Sequence, residues 1–504
     1  MKGDLSGRKI FIVALLAFLF TLSISSTNLQ GSLDLEERVV EYVLPNGLTF
    51  LLLERRYPPV FSTNITYKVG SVEEVSGITG IAHLLEHMAF KGTKTIGTTN
   101  YRREKKILER IDRLAREIDR LKNSSSATDS LILAQLEEKL QKARDELGNY
   151  VVKDEIGVIY GENGAVGLNA STSEDLTRYY VSLPSNRLEL WMFIESERMK
   201  GPVFREFYTE RDVVMEERRM RTLTNPFGKL YEVFLATAFL AHPYGHPTVG
   251  WMSDLERLTV DDARRFFEKY YTPSNCVVAI VGDIDIEKTK RLIDRYFGPV
   301  KARGRPPRVM TVEPLQDGER RADVVFDSEP MLLVGYHKPA LPQFDDYVFD
   351  MISIILTSGR TSRFYHRLIE SGMAVNVTSS TYPGDRFPNL FTIYATPRSP
   401  YTTSEIEDVI YEELEKLGTV PVDDVELKRA VKKIETSFIR SLASNSGLAN
   451  RLTYFQSIAG DYRYITGYVD VVKGITKSDI MDVASRYFTK NNRTVASIVK
   501  EATE

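Results

Sequence analysis

Leu258-Thr259-Val260-Asp261-Asp262, continuing through Tyr270-Tyr271-Thr272-Pro273-Ser274-Asn275 to the apolar run Val277 to Val281, occurs twice in this chain. It aligns without gaps on Ile475-Thr476-Lys477-Ser478-Asp479 through Tyr487-Phe488-Thr489-Lys490-Asn491-Asn492, and its apolar run is answered by Val495 to Val499. A long-range repeat of this kind marks a duplicated unit, here an α+β domain. The expected fold is two homologous mixed-sheet domains with helices packed on one face. The basic, Pro- and Gly-rich stretch Val300-Lys301-Ala302-Arg303-Gly304-Arg305-Pro306-Pro307 predicts the linker between them. That places one domain at 38–300 and the other at 308–504.

Working outward, 504 residues with 42% apolar and 10% aromatic side chains describe a globular protein with sizeable cores. Lys and Arg number 66 against 69 Asp and Glu, so the net charge of −3 gives no electrostatic basis for a nucleic-acid partner. The single cysteine, Cys276, lies in a strand-like run and reads as an inert core thiol. At the N-terminus, Lys2, Arg8 and Lys9 precede an apolar run from Ile10 to Leu22 and the small polar residues Ser23 to Thr27. That is the pattern of an export signal over 1–30, or of a membrane anchor if it is not cleaved. The expected address is periplasmic or otherwise extracytoplasmic.

In chain order, Glu41 to Leu44 and Leu48 to Leu53 flank Asn46-Gly47, a strong hairpin signal. A strand from Ser62 to Val69 then leads into Gly80-Ile81-Ala82-His83-Leu84-Leu85-Glu86-His87-Met88-Ala89-Phe90. On a helix His83 and His87 are one turn apart with Glu86 beside them. Two imidazoles so spaced can share one Zn²⁺, and an adjacent carboxylate can act as a proton acceptor. Residues 101–150 differ from their surroundings. Ile107, Ile111, Leu114, Ile118 and Leu121 step by four and three, Asn123-Ser124-Ser125-Ser126 breaks the pattern, and Leu133, Leu136, Leu140, Ala143 and Leu147 resume it. This predicts an antiparallel helical hairpin inserted in the first domain, read as self-packed and solvated, or else as a docking arm for a partner or a membrane surface.

Two further strands follow, at Ala165 to Thr172 and Thr177 to Leu183, and then a helical region from 186 to 222 broken near Gly201-Pro202. There Glu210 and Glu217 are two turns apart and share a face. Spacing alone does not single out Glu217 among so many carboxylates. The second half has no matching pair of histidines. Its counterpart helix reads as Ser362 to Leu368, with His366 alone. His366, His337, His242 and His246 read as structural or surface residues, so one metal site per chain is expected.

The reversed order His-x-x-Glu-His is followed by Met88-Ala89-Phe90-Lys91-Gly92-Thr93, Leu168-Asn169-Ala170-Ser171-Thr172-Ser173, Glu210 to Glu217 and His242-Pro243-Tyr244-Gly245. In this the chain resembles the pitrilysin or inverzincin family of zinc metallopeptidases. The resemblance covers 38–504 apart from the insert. It implies one Zn²⁺ per chain held by His83, His87 and Glu217, with Glu86 as catalytic base and Glu210 as a second carboxylate beside the metal. It implies that Asn169, Ala170 and Ser171 lie on an edge strand where substrate pairs by β-augmentation. It also implies that the two domains form half of a clamshell around peptides or unfolded proteins.

One departure bears on function. Members of the family carry an Arg and a Tyr in the second domain, where this chain reads Leu368-Ile369-Glu370-Ser371-Gly372-Met373-Ala374-Val375, with Ile369 and Val375 in their places. Some members divide the work between two chains. The resemblance therefore implies an exported zinc endopeptidase that is the catalytic subunit of a heterodimer, with a homologous subunit supplying the Arg/Tyr pair. The alternative is a non-catalytic structural or scaffold subunit of a related complex.

Overall fold

The computed structural model describes residues 35–122 and 129–499, and the expected export segment lies outside them. The first half runs β1 (Val40–Val43), β2 (Thr49–Glu54), β3 (Val60–Tyr67), α1 (Ile81–Met88), α2 (Tyr101–Lys122) and α3 (Asp129–Gly148). It continues with α4 (Glu155–Glu162), β4 (Val166–Thr172), β5 (Thr177–Pro184), α5 (Leu188–Lys200), α6 (Phe207–Arg218) and α7 (Pro226–Ala238). It closes with α8 (Val260–Tyr270), β6 (Cys276–Gly282) and α9 (Ile286–Phe297). Its sheet has the order β1-β2-β6-β3-β5-β4, with β6 parallel to β2 and antiparallel to β3.

The second half repeats this plan with β7 (Arg320–Val325), β8 (Leu332–Lys338), α10 (Phe344–Thr357), β9 (Ala374–Tyr382) and β10 (Asn389–Pro397). Then come α11 (Thr403–Thr419), α12 (Asp424–Ser441), α13 (Asn445–Ile458), α14 (Tyr464–Gly474), α15 (Lys477–Tyr487) and β11 (Arg493–Val499). Its sheet order is β7-β11-β8-β10-β9, the first sheet without β1. The repeat is exact in its small devices. Thr259 with Asp262, and Thr476 with Asp479, form capping boxes at the starts of α8 and α15. The Asn275 amide donates to the carbonyls of Lys68 and Tyr270, and the Asn492 amide donates to those of His337 and Tyr487.

Topology corrects one sequence expectation. The second-half counterpart of α1 is α10, not residues 362–368. The helix α1 packs on α6, α8 and β4, while α10 packs on α12, α15 and β9. Residues 365–370 form a π-helical turn just before β9, where α4 stands before β4. α10 contains no histidine, so the counterpart position lacks the histidine pair of α1.

The inner strands β2 and β6 carry apolar runs rather than alternation, which requires both faces to be covered. In β6, Val278 and Ile280 face the helices of their own half, while Val277, Ala279 and Val281 face Leu448, Ala449, Leu452 and Phe455 of α13. Reciprocally, α7 lays Leu230, Phe234 and Leu235 on Val324, Leu333, Ala496 and Ile498 of the second sheet. Each half thus lends the other a helix. A polar seam completes the joint. Asp175 accepts from the Tyr244 hydroxyl at 2.7 Å and from the backbone N–H groups of Asp385 and Arg386, and Arg386 pairs with Glu73. The His242-to-Gly245 motif therefore ties the two halves together.

Candidate metal centre

The helix α1 begins at Gly80, whose φ of +87° and close approach to the Val249 carbonyl leave no room for a side chain. The buried carboxylate of Glu74 accepts from the Gly80 and Ala82 N–H groups, both at 2.8 Å, and so satisfies two donors at the helix start. Ile81, Ala82, Leu84, Leu85 and Met88 sink into the core. That burial fixes the roll of the helix and turns His83, Glu86 and His87 toward α6 and β4. On α6, buried Val214 sits between Glu210 and Glu217, which share the facing side as their spacing predicts.

Oε2 of Glu217 lies 3.6 Å from Nε2 of His83 and 3.6 Å from Nε2 of His87. One ligand atom from each of the three residues lies within 4.8 Å of the others. These separations are too long for hydrogen bonds. They are close to the ~3.4 Å that separates two ligands about 2.1 Å from a tetrahedral ion. Burial, reinforced by the neighbouring His87, lowers the pKa of His83 to about 3, which keeps its ring neutral and able to ligate. The other Glu217 oxygen is held by Arg221 at 2.6 Å. The donor set fits Zn²⁺: two imidazoles, one carboxylate and a fourth position left over.

Glu210 stands behind His87, with Oε2 3.3 Å from the ring's Nδ1 and Oε1 2.6 Å from Lys91 Nζ. Its hydrogen bond to His87, together with Lys91, outweighs burial and holds its pKa below the usual carboxylate value. Burial raises the pKa of Glu86, although the Thr172 hydroxyl donates to its Oε2 at 2.6 Å. Thr172 ends β4, the outer strand of the sheet, which also carries Asn169, Ala170 and Ser171. The structure therefore brings His83, Glu86, His87, Glu210 and Glu217 together between α1 and α6, with Asn169, Ala170 and Ser171 on the strand whose last residue, Thr172, touches Glu86.

Sequence reasoning missed Thr172, Lys91, Glu74 and Arg221. Thr172 and Lys91 belong to quoted motifs but have no helical or strand periodicity that marks them. Nothing local distinguishes Glu74.

A family model described as Insulinase (Peptidase family M16) matches residues 51–147, and one described as Peptidase M16 inactive domain matches 257–434, together more than half of the chain. The chain belongs to peptidase family M16. Within it, a zinc protease of Helicobacter pylori called PqqE is 28% identical over 478 residues, covering 93% of this chain and 94% of that one. An uncharacterized zinc protease of Streptomyces coelicolor is 25% identical over 454 residues, 88% of this chain and 85% of that one. The crystal structure of a protease from Helicobacter pylori superposes with a TM-score of 0.76 at 27% identity, covering 91% of this chain and 99% of that one. The M16 fold recurs at 16% identity in the periplasmic protease PqqL from Escherichia coli, with a TM-score of 0.67. There it covers 92% of this chain and 48% of PqqL.

Proposed function

We propose that this M16 chain is an exported zinc endopeptidase acting on peptides or unfolded proteins, as the metal-bearing subunit of a heterodimer. The observation that carries the reading is the convergence of His83, His87 and Glu217, with Glu86 fixed beside them by Thr172. In this reading those three side chains hold the zinc, and Glu210 orients His87. Zinc, when bound, supplies Lewis-acid activation of water and polarisation of the scissile carbonyl. With Oε2 occupied by Thr172, Glu86 accepts the proton of the attacking water on Oε1 and returns it to the leaving amine. The raised pKa of Glu86 suits a group that must both take and give that proton. The outer edge of β4 at Asn169, Ala170 and Ser171 receives the substrate main chain as an added strand, which makes recognition tolerant of sequence.

The case for a partner rests on the second half. Ile369 packs partly buried against the second core, and Val375 is exposed on β9. Neither can donate a hydrogen bond to a carbonyl oxygen, so a homologous subunit is assigned that task. PqqL, about half of which this chain matches, supports a doubled arrangement of the fold. The extracytoplasmic address rests on the charged and apolar N-terminal segment. Among the described residues no helix is long and apolar enough to cross a membrane.

The scaffold reading draws on the same missing pair, but a scaffold needs no converging ligands. The decisive experiment is zinc analysis and peptide cleavage by the chain copurified from its native source, beside Glu86→Gln. The proposal expects one zinc in both proteins and turnover only with native Glu86. Full cleavage by the chain without any partner would overturn the heterodimer, and equal turnover by the variant would overturn the base.

A further inference from the structure

We infer that the α2–α3 hairpin is a brace that holds α6 against α1, with Asp112 and Asp119 as positioning residues for Glu210 and Glu217. This rests on the zinc-ligand reading above. The hairpin's two helices pack on each other with exposed charged faces, as the sequence suggests, but α2 also makes specific polar contacts to α6. Asp112 and Asp119 are two turns apart on α2 and so share a face, and Tyr208 and Arg211 are three apart on α6. The two pairs meet. The Tyr208 hydroxyl donates to Asp112 at 2.7 Å, and the Arg211 guanidinium donates to both oxygens of Asp119 at 2.8 and 3.2 Å. Arg211 also lies over the Tyr208 ring at 5.0 Å and donates to the Leu258 carbonyl, so its position is set from three sides. Glu210 is its neighbour in sequence.

The same hairpin grips the other side of the centre. Buried Glu104 of α2 pairs with buried Arg205, which also donates to the carbonyls of Lys91, Thr93 and Ile96. That segment directly follows α1, and its Lys91 holds Glu210. Helix and loop are therefore both tied to one element.

Phe207, Tyr208 and Val214 pack α6 into the first core, and the aspartate tethers add directional contacts to that packing. Cavities of about 690 and 260 Å³ flank the seam, and Leu108, Asp112, Phe204 and Val260 line both. Beside Asp112 there is open space rather than packed apolar surface, so at that point α2 meets α6 through the Tyr208 hydroxyl. A ligand carboxylate displaced by even a fraction of an ångström loses its place in a three-residue site.

The test uses the full chain carrying Asp112→Asn and Asp119→Asn together, which preserves shape and removes charge, with Glu217→Ala and Asp119→Glu as comparisons. Zinc affinity is read by competition with a chromophoric chelator, and the metal-free melting midpoint is recorded alongside. The brace predicts zinc affinity weaker by about tenfold to a hundredfold, a metal-free midpoint close to that of the native chain, and substantial recovery in Asp119→Glu. Affinity within twofold of native would overturn it. So would a zinc loss that merely follows a collapsed metal-free midpoint, since the hairpin would then be a stability element only. If Glu217→Ala keeps its zinc, the ligand reading itself falls. If Glu217→Ala loses zinc while the double variant keeps it, only the brace falls.

Discussion

Nδ1 of His87 lies 3.3 Å from Oε2 of Glu210, while the opposite Nε2 of the same ring faces Glu217 at 3.6 Å. One imidazole is thus held from behind by one carboxylate and aimed at the other, both carried on a single face of α6. An outer-shell carboxylate of this kind fixes the tautomer and raises the basicity of the ligating nitrogen. Glu210→Gln keeps the shape and loses the charge that also holds Lys91. Zinc affinity is expected to fall by about tenfold to a hundredfold, with the fold intact by circular dichroism. Unchanged affinity in a chelator competition would show that His87 is positioned without Glu210.

Thr172 makes a separable prediction, because it touches the base and not the ligands. Its hydroxyl donates at 2.6 Å to Glu86, and a hydrogen bond to a charged group contributes about 1.5–3 kcal/mol. Thr172→Val preserves volume and removes that donor. Zinc content should stay at the native level while kcat falls about 10- to 100-fold. Loss of zinc along with activity would mean that the end of β4 supports the metal site as a whole.

The parts of this protein that were readable in sequence are those set by local periodicity or by recurrence. The offset between Asn275 and Asn492 gave the duplication, the His83 and His87 spacing gave the candidate ligands, and the stepping of Ile107 to Leu121 and Leu133 to Leu147 gave the hairpin. Contacts made across long chain distances were not readable. Glu74 caps α1 because the loop between them folds back, and Asp119 meets Arg211 across 92 residues. α10 retains the packing relations of α1 but not its histidines, so no residue pattern marks it as the counterpart. The exchange of α7 and α13 between the sheets leaves only an indirect trace, in the apolar runs of β2 and β6, which leave no wet face.

The coil that leads into β7 supplies a pH-dependent test remote from the metal. Glu313 accepts the backbone N–H groups of Leu240, Ala241 and His242 at 2.8 to 3.0 Å. Burial pushes its pKa up, but these three donors outweigh it and hold the carboxyl below its ordinary value. A depressed folded pKa contributes stability above the unfolded value near 4.3 and loses it as pH falls through the folded one. Glu313→Gln should therefore cost about 1–3 kcal/mol at pH 7, and the gap from the native chain should close as the pH falls through the depressed folded value. Urea titrations across that range measure this, and a gap independent of pH would assign the cost to shape rather than charge.

The exchanged helices predict a coupling between the halves. Phe234 of α7 is fully buried against the second sheet, where Gly335 of β8 leaves space for its ring. A Cβ built on Gly335 would lie 2.5 Å from the ring's Cζ, so Gly335→Ala in the native chain must displace Phe234 or the strand. Phe234→Ala empties the same space and should cost about 3–5 kcal/mol. Because the alanine methyl at 335 then enters a hole rather than a ring, the double variant should be more stable than the sum of the two losses predicts. Residues in direct contact show such interaction energies at about 0.5–3 kcal/mol. Strict additivity in a urea double-mutant cycle would mean that α7 does not bear on β8 in solution. A clear positive coupling would place a first-half helix inside the folding unit of the second half, and the two repeats would then unfold together.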